Sequence, residues 1–296
     1  KIKNSLTLLA IMLINKLENK RPFIISGPCS AESEQQVLKT ASAIKPIVDV
    51  FRAGIWKPRT KPNSFEGVGE KGLNWLKKVQ YEFEIKVCTE VATPRHVEAC
   101  LKSEIDMLWI GARTTVNPFY VDEIAQALKG HDIPIFIKNP THPDINLWIG
   151  AFERLKKYGI NNLIAVHRGF YNDTSSTFRN EPRWEKIIKF RKANPQIPII
   201  CDPSHISGNS KYVKDISQIA MDLDLDGLMI ESHYDPKIAL SDRQQQISPK
   251  NLIDIVNGLI LRSSELNNNN IISQLQSFRN VIDNYDMKIL ELLMRR

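Results

Sequence analysis

Short β-branched apolar runs alternate along this chain with longer stretches in which apolar positions recur every three or four residues. The short runs predict strands over Phe23–Ser26, Ile47–Ala53, Ile85–Thr89, Met107–Gly111, Ile133–Lys138, Leu163–His167, Ile197–Cys201 and Leu228–Glu231. They are apolar on both faces, as strands covered by helices must be. The longer stretches predict helices over Glu32–Ile44, Glu70–Phe83, Pro94–Lys102, Pro118–Leu128, Asn146–Tyr158, Pro182–Lys192, Tyr212–Asp222 and Pro249–Leu261. Several open with proline behind a capping residue, as at Thr93-Pro94, Asn117-Pro118 and Ser248-Pro249. Eight strand–helix alternations in roughly 250 residues suit an α/β fold, a closed parallel (β/α)8 barrel over residues 20–262.

Such a barrel gathers its working groups at the C-terminal ends of the strands. The predicted strand ends bring Cys29, Arg52, Glu90, Arg113, Lys138, Arg168, His205 and Glu231 around one mouth. Cys29, His205, Glu231 and Asp242 follow strands one, seven and eight, and eight adjoins one when a barrel closes. Thiolate, imidazole and carboxylate form a mixed donor set suited to Mn²⁺, Fe²⁺, Co²⁺ or Zn²⁺ and poorly suited to Mg²⁺. Singly, each has a plainer reading: Cys29 as a core thiol, His205 as a helix cap, Asp242 as a turn residue. The segment from Arg52 to Thr60, with Lys57, Pro58 and Arg59, offers cations and a hydroxyl on a proline-stiffened loop that fits a phosphate, or else is merely a solvated basic loop. Arg113 after Gly111-Ala112, Lys138 and Arg168 form a second basic cluster on three consecutive strands. Two anion sites flanking a metal are the expectation.

The chain has 296 residues, 42% hydrophobic and 25% charged, with a net charge of +7, ordinary for a globular protein apart from the basic excess. No helix carries a dense basic face interleaved with aromatics, so the excess points to small anions rather than nucleic acid. Four cysteines lie far apart without a C-x-x-C pair, which fits a reduced, cytoplasmic setting and excludes a zinc knuckle. Leu6–Ile14 is too short to span a bilayer and lacks a following cleavage signal, so residues 1–19 are expected to pack as an N-terminal segment.

Gly27-Pro28-Cys29-Ser30, Lys57-Pro58-Arg59-Thr60, Gly111-Ala112-Arg113, Asp202-Pro203-Ser204-His205 and Ala239-Leu240-Ser241-Asp242 occur in this order across the barrel. In these motifs the chain resembles the metal-dependent 3-deoxy-D-arabino-heptulosonate 7-phosphate (DAHP) synthases, which open the shikimate pathway. The resemblance implies that Arg52, Gly111, Ala112, Arg113, Lys138 and Arg168 hold phosphoenolpyruvate, and that Lys57, Pro58, Arg59 and Thr60 hold erythrose 4-phosphate. It implies a divalent metal on Cys29, His205, Glu231 and Asp242; Lys57 and Glu90 are candidate catalytic residues, Glu90 as a group that orients water or moves a proton. Two departures are His167, where many relatives carry an acid, and Asn139-Pro140, where glycine is common after the lysine. Competing readings are an octulosonate-type synthase, a Schiff-base aldolase using Lys57 or Lys138, and a catalytically idle barrel that partners a mutase.

Beyond the barrel, Ser263 to Asn270 reads as a polar linker. Ile271, Leu275, Phe278, Ile282, Tyr285, Ile289 and Leu292 then recur at alternating steps of four and three, one apolar seam on a single helix. Residues 271–296 resemble the first helix of the all-helical chorismate mutases, with Arg279, Asp286, Leu290, Leu293 and Arg296 at that family's spacing. The resemblance implies that Arg279 and Arg296 bind carboxylates, that a homodimer forms through this helix, and that this one helix alone does not catalyse the mutase reaction.

Overall fold

The computed structural model describes residues 21–58, 64–172, 176–262 and 269–294. The predicted N-terminal segment, Arg59, Thr60, Arg296 and most of the predicted linker lie outside the described residues. Two compact units divide the chain at Leu261 and Arg262.

In the first unit the chain runs β1 (Phe23–Gly27), α1 (Glu34–Ile44), β2 (Val50–Arg52), α2 (Lys71–Phe83), β3 (Lys86–Val91), α3 (Pro94–Lys102) and β4 (Met107–Ile110). It continues through α4 (Ala112–Thr115), α5 (Pro118–Ala127), β5 (Ile135–Lys138), α6 (Ile145–Lys157), β6 (Leu163–His167) and α7 (Trp184–Ala193). The turn back to the start is made by β7 (Ile199–Cys201), α8 (Pro203–Ser207), α9 (Val213–Asp222), β8 (Gly227–Glu231) and α10 (Pro249–Asn257). The eight strands form a closed barrel in sequence order. Neighbouring strands are parallel, and β8 closes on β1 with Gly27 opposite Glu231.

Alternation along each strand separates two apolar layers. Phe23, Ile25, Val50, Cys88, Met107, Trp109, Phe136, Ile164, Val166, Ile200 and Met229 form one buried cluster that fills the barrel. The intervening strand residues join the helices in the larger core, where Trp148 of α6 packs its ring 4.2 Å from Phe190 of α7. Proline in the first turn and an accepting side chain start α3, α5 and α10 behind Thr93, Asn117 and Ser248.

The predicted strands and helices are all present, with shifted ends. Ile47 belongs to a 3-10 turn over Lys45–Ile47 that contains Pro46, so β2 starts at Val50. Arg183 takes a left-handed φ of +41°, which delays α7 to Trp184. The one-turn helices α4 and α8 were not expected from the sequence; segments this short show no 3.6-residue period.

The second unit contains α11 (Asn269–Met294), one continuous helix that begins two residues before the expected start. Phe278, Ile282, Tyr285, Ile289 and Leu292 of the predicted seam are exposed, as is Arg279.

Candidate active site

The loop after β1 begins at a place where side chains do not fit. A Cβ on Gly27, whose φ is +151°, would stand 2.1 Å from the carbonyl oxygen of Arg52. Only glycine lets β1 pass this close to β2, and the chain then turns so that Cys29 faces the ends of β8 and its loop. Cys29 Sγ donates to Asp242 Oδ2 at 3.2 Å, and Lys57 Nζ reaches the same sulfur at 3.2 Å. The ligating atoms of Cys29, Glu231 and Asp242 all lie within 4.8 Å of one another. Asp242 holds a left-handed φ of +45°, a backbone cost of the kind that concentrates at functional sites. Arg179 secures its other oxygen at 3.0 Å.

His205 stands beside this trio. Its Nε2 is 3.7 Å from Glu231 Oε1, and its Nδ1 is 2.8 Å from Asp202 Oδ2. Glu231 is fully buried: Oε2 accepts from Gln245 at 2.7 Å, while Oε1 has no hydrogen-bond donor aimed at it. Burial, then the Glu231 charge, push the Cys29 thiol up to about 12. Burial also raises the Asp202 pKa, but His205 and Lys138 outweigh it and hold that carboxyl well below its ordinary range. Asp242 behaves likewise, with His205 and then Arg179 overcoming burial.

Next to the trio lies a cavity of about 300 Å³ lined by Lys57, Pro58, Glu90, Gly111, Ala112, Arg113, Lys138, Thr141, Arg168, Tyr171, Arg179, Asn180, His205 and Asp242. Lys138 Nζ pairs with Asp202 at 2.7 Å, and its ammonium lies 5.8 Å from the Trp109 ring. Arg168 is held at both ends: its backbone N–H donates to Asn139 Oδ1 and its Nη1 to Asn180 Oδ1, each at 2.7 Å. Arg113 Nη1 donates to the Pro58 carbonyl at 3.2 Å. Burial lowers the Arg168 pKa to about 10; Asp202 opposes this, and the Arg179 and Arg113 cations reinforce it. Crowded, desolvated cations of this kind are relieved by an anion. Gly111 gives Glu90 its space, because a Cβ there would stand 2.0 Å from Glu90 Oε1.

Of the residues singled out in the sequence, Cys29, Glu231 and Asp242 converge, with His205 at their edge, and Lys57, Pro58, Glu90, Gly111, Ala112, Arg113, Lys138 and Arg168 line the adjoining cavity. Arg52 does not line it. It is 1% exposed, donates to the Cys29 carbonyl at 3.1 Å, pairs with Glu231 at 3.2 Å and lies 4.7 Å from the Trp109 ring. The strand-end pattern marks the rim but not the depth. His167 also stays out of the cavity, packing edge-on against Trp184 at 5.0 Å. Asp202, Asn180, Arg179 and Gln245 were not expected to serve the site. Asp202 carried a signal in its Asp-Pro-Ser-His segment, whereas Arg179 and Asn180 sit in a loop with none. A wider cleft of about 600 Å³ opens beyond Asp242 and Arg179; it offers no comparable set of buried charges.

The chain is similar in sequence and fold to known proteins. The phospho-2-dehydro-3-deoxyheptonate aldolase of Thermotoga maritima is 30% identical over 233 residues, covering 78% of this chain and 67% of that protein. The 2-dehydro-3-deoxyphosphooctonate aldolase of Helicobacter acinonychis is 26% identical over 295 residues, covering 84% of this chain and 98% of that one. The crystal structure of the Thermotoga maritima DAHP synthase superposes with a TM-score of 0.73 at 29% identity, covering 79% of this chain and 67% of that chain. The model of the DAHP synthetase I family matches residues 11–264. By that match, which takes in every strand of the barrel and both halves of the site, the chain belongs to the DAHP synthetase I family.

Proposed function

We propose that this protein is a metal-dependent DAHP synthase, condensing phosphoenolpyruvate with erythrose 4-phosphate to DAHP and phosphate. The observation that carries the reading is the adjacency of a Cys29–Glu231–Asp242 donor group and a cavity ringed by Lys57, Arg113, Lys138 and Arg168.

The donor group fits a divalent ion. Three donor atoms, one sulfur and two carboxylate oxygens, lie within 4.8 Å of one another, and the buried Glu231 Oε1, 3.2 Å from Arg52 Nη1, accepts no hydrogen bond. Cys29, Glu231, Asp242 and His205 would hold Mn²⁺, Fe²⁺, Co²⁺ or Zn²⁺. Bound there, the ion supplies Lewis-acid polarisation of an aldehyde oxygen. Arg113, Lys138 and Arg168 neutralise the carboxylate and phosphate of phosphoenolpyruvate, and Lys57, Arg59 and Thr60 take the phosphate of the aldose. Arg52 acts from behind, fixing Glu231 and the Cys29 carbonyl. The enol carbon attacks the aldehyde carbon, water adds to the cationic carbon left behind, and phosphate departs. Charge develops on oxygen throughout, which is why the walls are cationic. Glu90, 9% exposed on the cavity wall, orients the water or carries its proton.

An octulosonate-type synthase is the second reading, supported by relatives of that name at 26–28% identity. Phosphate release from phosphoenolpyruvate with erythrose 4-phosphate or arabinose 5-phosphate separates the two. We expect release with the four-carbon aldose, loss of it with a chelator and recovery with added Mn²⁺. Preference for arabinose 5-phosphate would install the second reading. Chelator-insensitive turnover with borohydride trapping of Lys57 or Lys138 would install a Schiff-base aldolase, and no release under any condition an idle barrel.

The resemblance of residues 271–296 to a mutase helix supports a bifunctional protein in which α11 opens a helical domain and pairs two copies of the chain. Arg279 is offered from the exposed helix surface, as a carboxylate binder requires. No helix among the described residues is long and apolar enough to cross a membrane, and a cytoplasmic enzyme acting on small phosphorylated substrates, without nucleic acid, is the reading that fits.

A further inference from the structure

Asp202 touches neither the cavity nor the donor trio, yet every polar atom it has is engaged. It is fully buried at the end of β7, and its backbone N–H donates to the His167 carbonyl at 2.7 Å. Oδ1 accepts the backbone N–H of His205 at 3.1 Å, which caps α8. Oδ2 accepts from Lys138 Nζ at 2.7 Å and stands 2.8 Å from His205 Nδ1, a close polar contact with no hydrogen bond aligned along it. One oxygen therefore serves a cation of the anion cavity and the imidazole beside the donor trio. With Nδ1 turned to Asp202, Nε2 is the nitrogen left to face Glu231 Oε1 at 3.7 Å. A second tie runs in parallel: Arg168 donates to Asn180 Oδ1 at 2.7 Å, and Asn180 Nδ2 donates to the His205 carbonyl at 2.6 Å.

We propose that Asp202 is a positioning residue that couples the two halves of the site, so that an anion on Lys138 strengthens cation binding at His205. The inference rests on the functional reading above. A buried carboxylate oxygen beside an ammonium and an imidazole acts on both through its charge. When a phosphoenolpyruvate oxygen takes over part of the Lys138 ammonium, more of the Oδ2 charge is left to act on the His205 ring, and Nε2 becomes the better ligand. Outer carboxylates act on metal-binding histidines in this way. By linkage the effect is reciprocal: a bound cation that draws on the imidazole tightens phosphoenolpyruvate by the same factor.

The test is a Cd²⁺ titration of the full chain, read by the ultraviolet thiolate-to-cadmium band of Cys29, with and without saturating phosphoenolpyruvate. Circular dichroism reports the fold of each variant. In the wild-type chain phosphoenolpyruvate should tighten Cd²⁺ at least about fivefold. Asp202→Asn keeps the shape but replaces the shared acceptor with a donor. It should weaken Cd²⁺ by about 10–100-fold and abolish the response to phosphoenolpyruvate. Lys138→Met, which leaves Oδ2 wholly to His205, should bind Cd²⁺ more tightly than wild type although Lys138 is no ligand, and this arm stands even where Asp202→Asn fails to fold. Wild-type Cd²⁺ affinity in Lys138→Met, or an undiminished phosphoenolpyruvate response in folded Asp202→Asn, would overturn the coupling alone. Absence of the band in the wild-type chain would overturn the metal site, and the coupling with it.

Discussion

Cys29 is the residue on which two loops converge, hydrogen-bonded to Asp242 and approached by the Lys57 ammonium. Cys29→Ala removes a proposed ligand without opening a large void, so the expected outcome is loss of metal-dependent phosphate release with an unchanged circular dichroism spectrum; full turnover would end the ligand assignment. His167 supplies a pH prediction. Burial first, and the Arg168 charge second, lower its pKa from 6.5 to about 3. The folded chain thus leaves it neutral where the unfolded chain protonates it. Stability is full above the ordinary histidine range and falls with pH through the window down to about 3, by about 1.4 kcal/mol per unit. In urea titrations between about pH 6 and pH 4, His167→Asn should flatten the wild-type slope by that amount, and parallel curves would refute it. The strand-end charges were legible because each closes an apolar run. The ties of Asp202 to Lys138, of Asn180 to His205 and of Arg179 to Gln245 were not, because those partners lie 64, 25 and 66 positions apart in sequence.

At the scale of elements, close approach and packing set what can change. Gly27→Ala would press a Cβ to 2.1 Å from the Arg52 carbonyl oxygen. Backbone cannot step aside cheaply, so a loss above about 1 kcal/mol in chemical unfolding is expected, with weaker metal binding because the Cys29 loop shifts. Phe190 of α7 lies 4.2 Å from Trp148 and 5.3 Å from Phe152, ring centre to ring centre. Phe190→Ala should cost about 3–5 kcal/mol of stability by denaturant titration while leaving KM for both substrates near wild type; a cost below about 1 kcal/mol would mean that α6 and α7 do not lean on this cluster. Helix and strand identities followed from periodicity. The one-turn helix α8 did not, although it carries His205, since its five residues are set by a capping aspartate and a proline rather than by an apolar stripe.

For the molecule as a whole, barrel closure was readable from eight alternations, and with it the neighbourhood of the first and last strands. The chain from Arg262 onward forms a compact unit of its own. Deleting residues 263–296 should leave the barrel's melting midpoint and synthase turnover intact and halve the mass in solution; aggregation or inactivity would show that the helix completes the barrel. The pairing of β1 with β8, which sets Gly27 opposite Glu231, carries a consequence for biosynthesis. Because the proposed donor atoms come from opposite ends of the barrel sequence, a ribosome-tethered chain stopped before the eighth strand owns the basic wall yet lacks Glu231 and Asp242, half of the proposed cation cage. Under the proposed function any fragment released there is chemically silent, and competence waits until the circle shuts and the loop that follows it folds down.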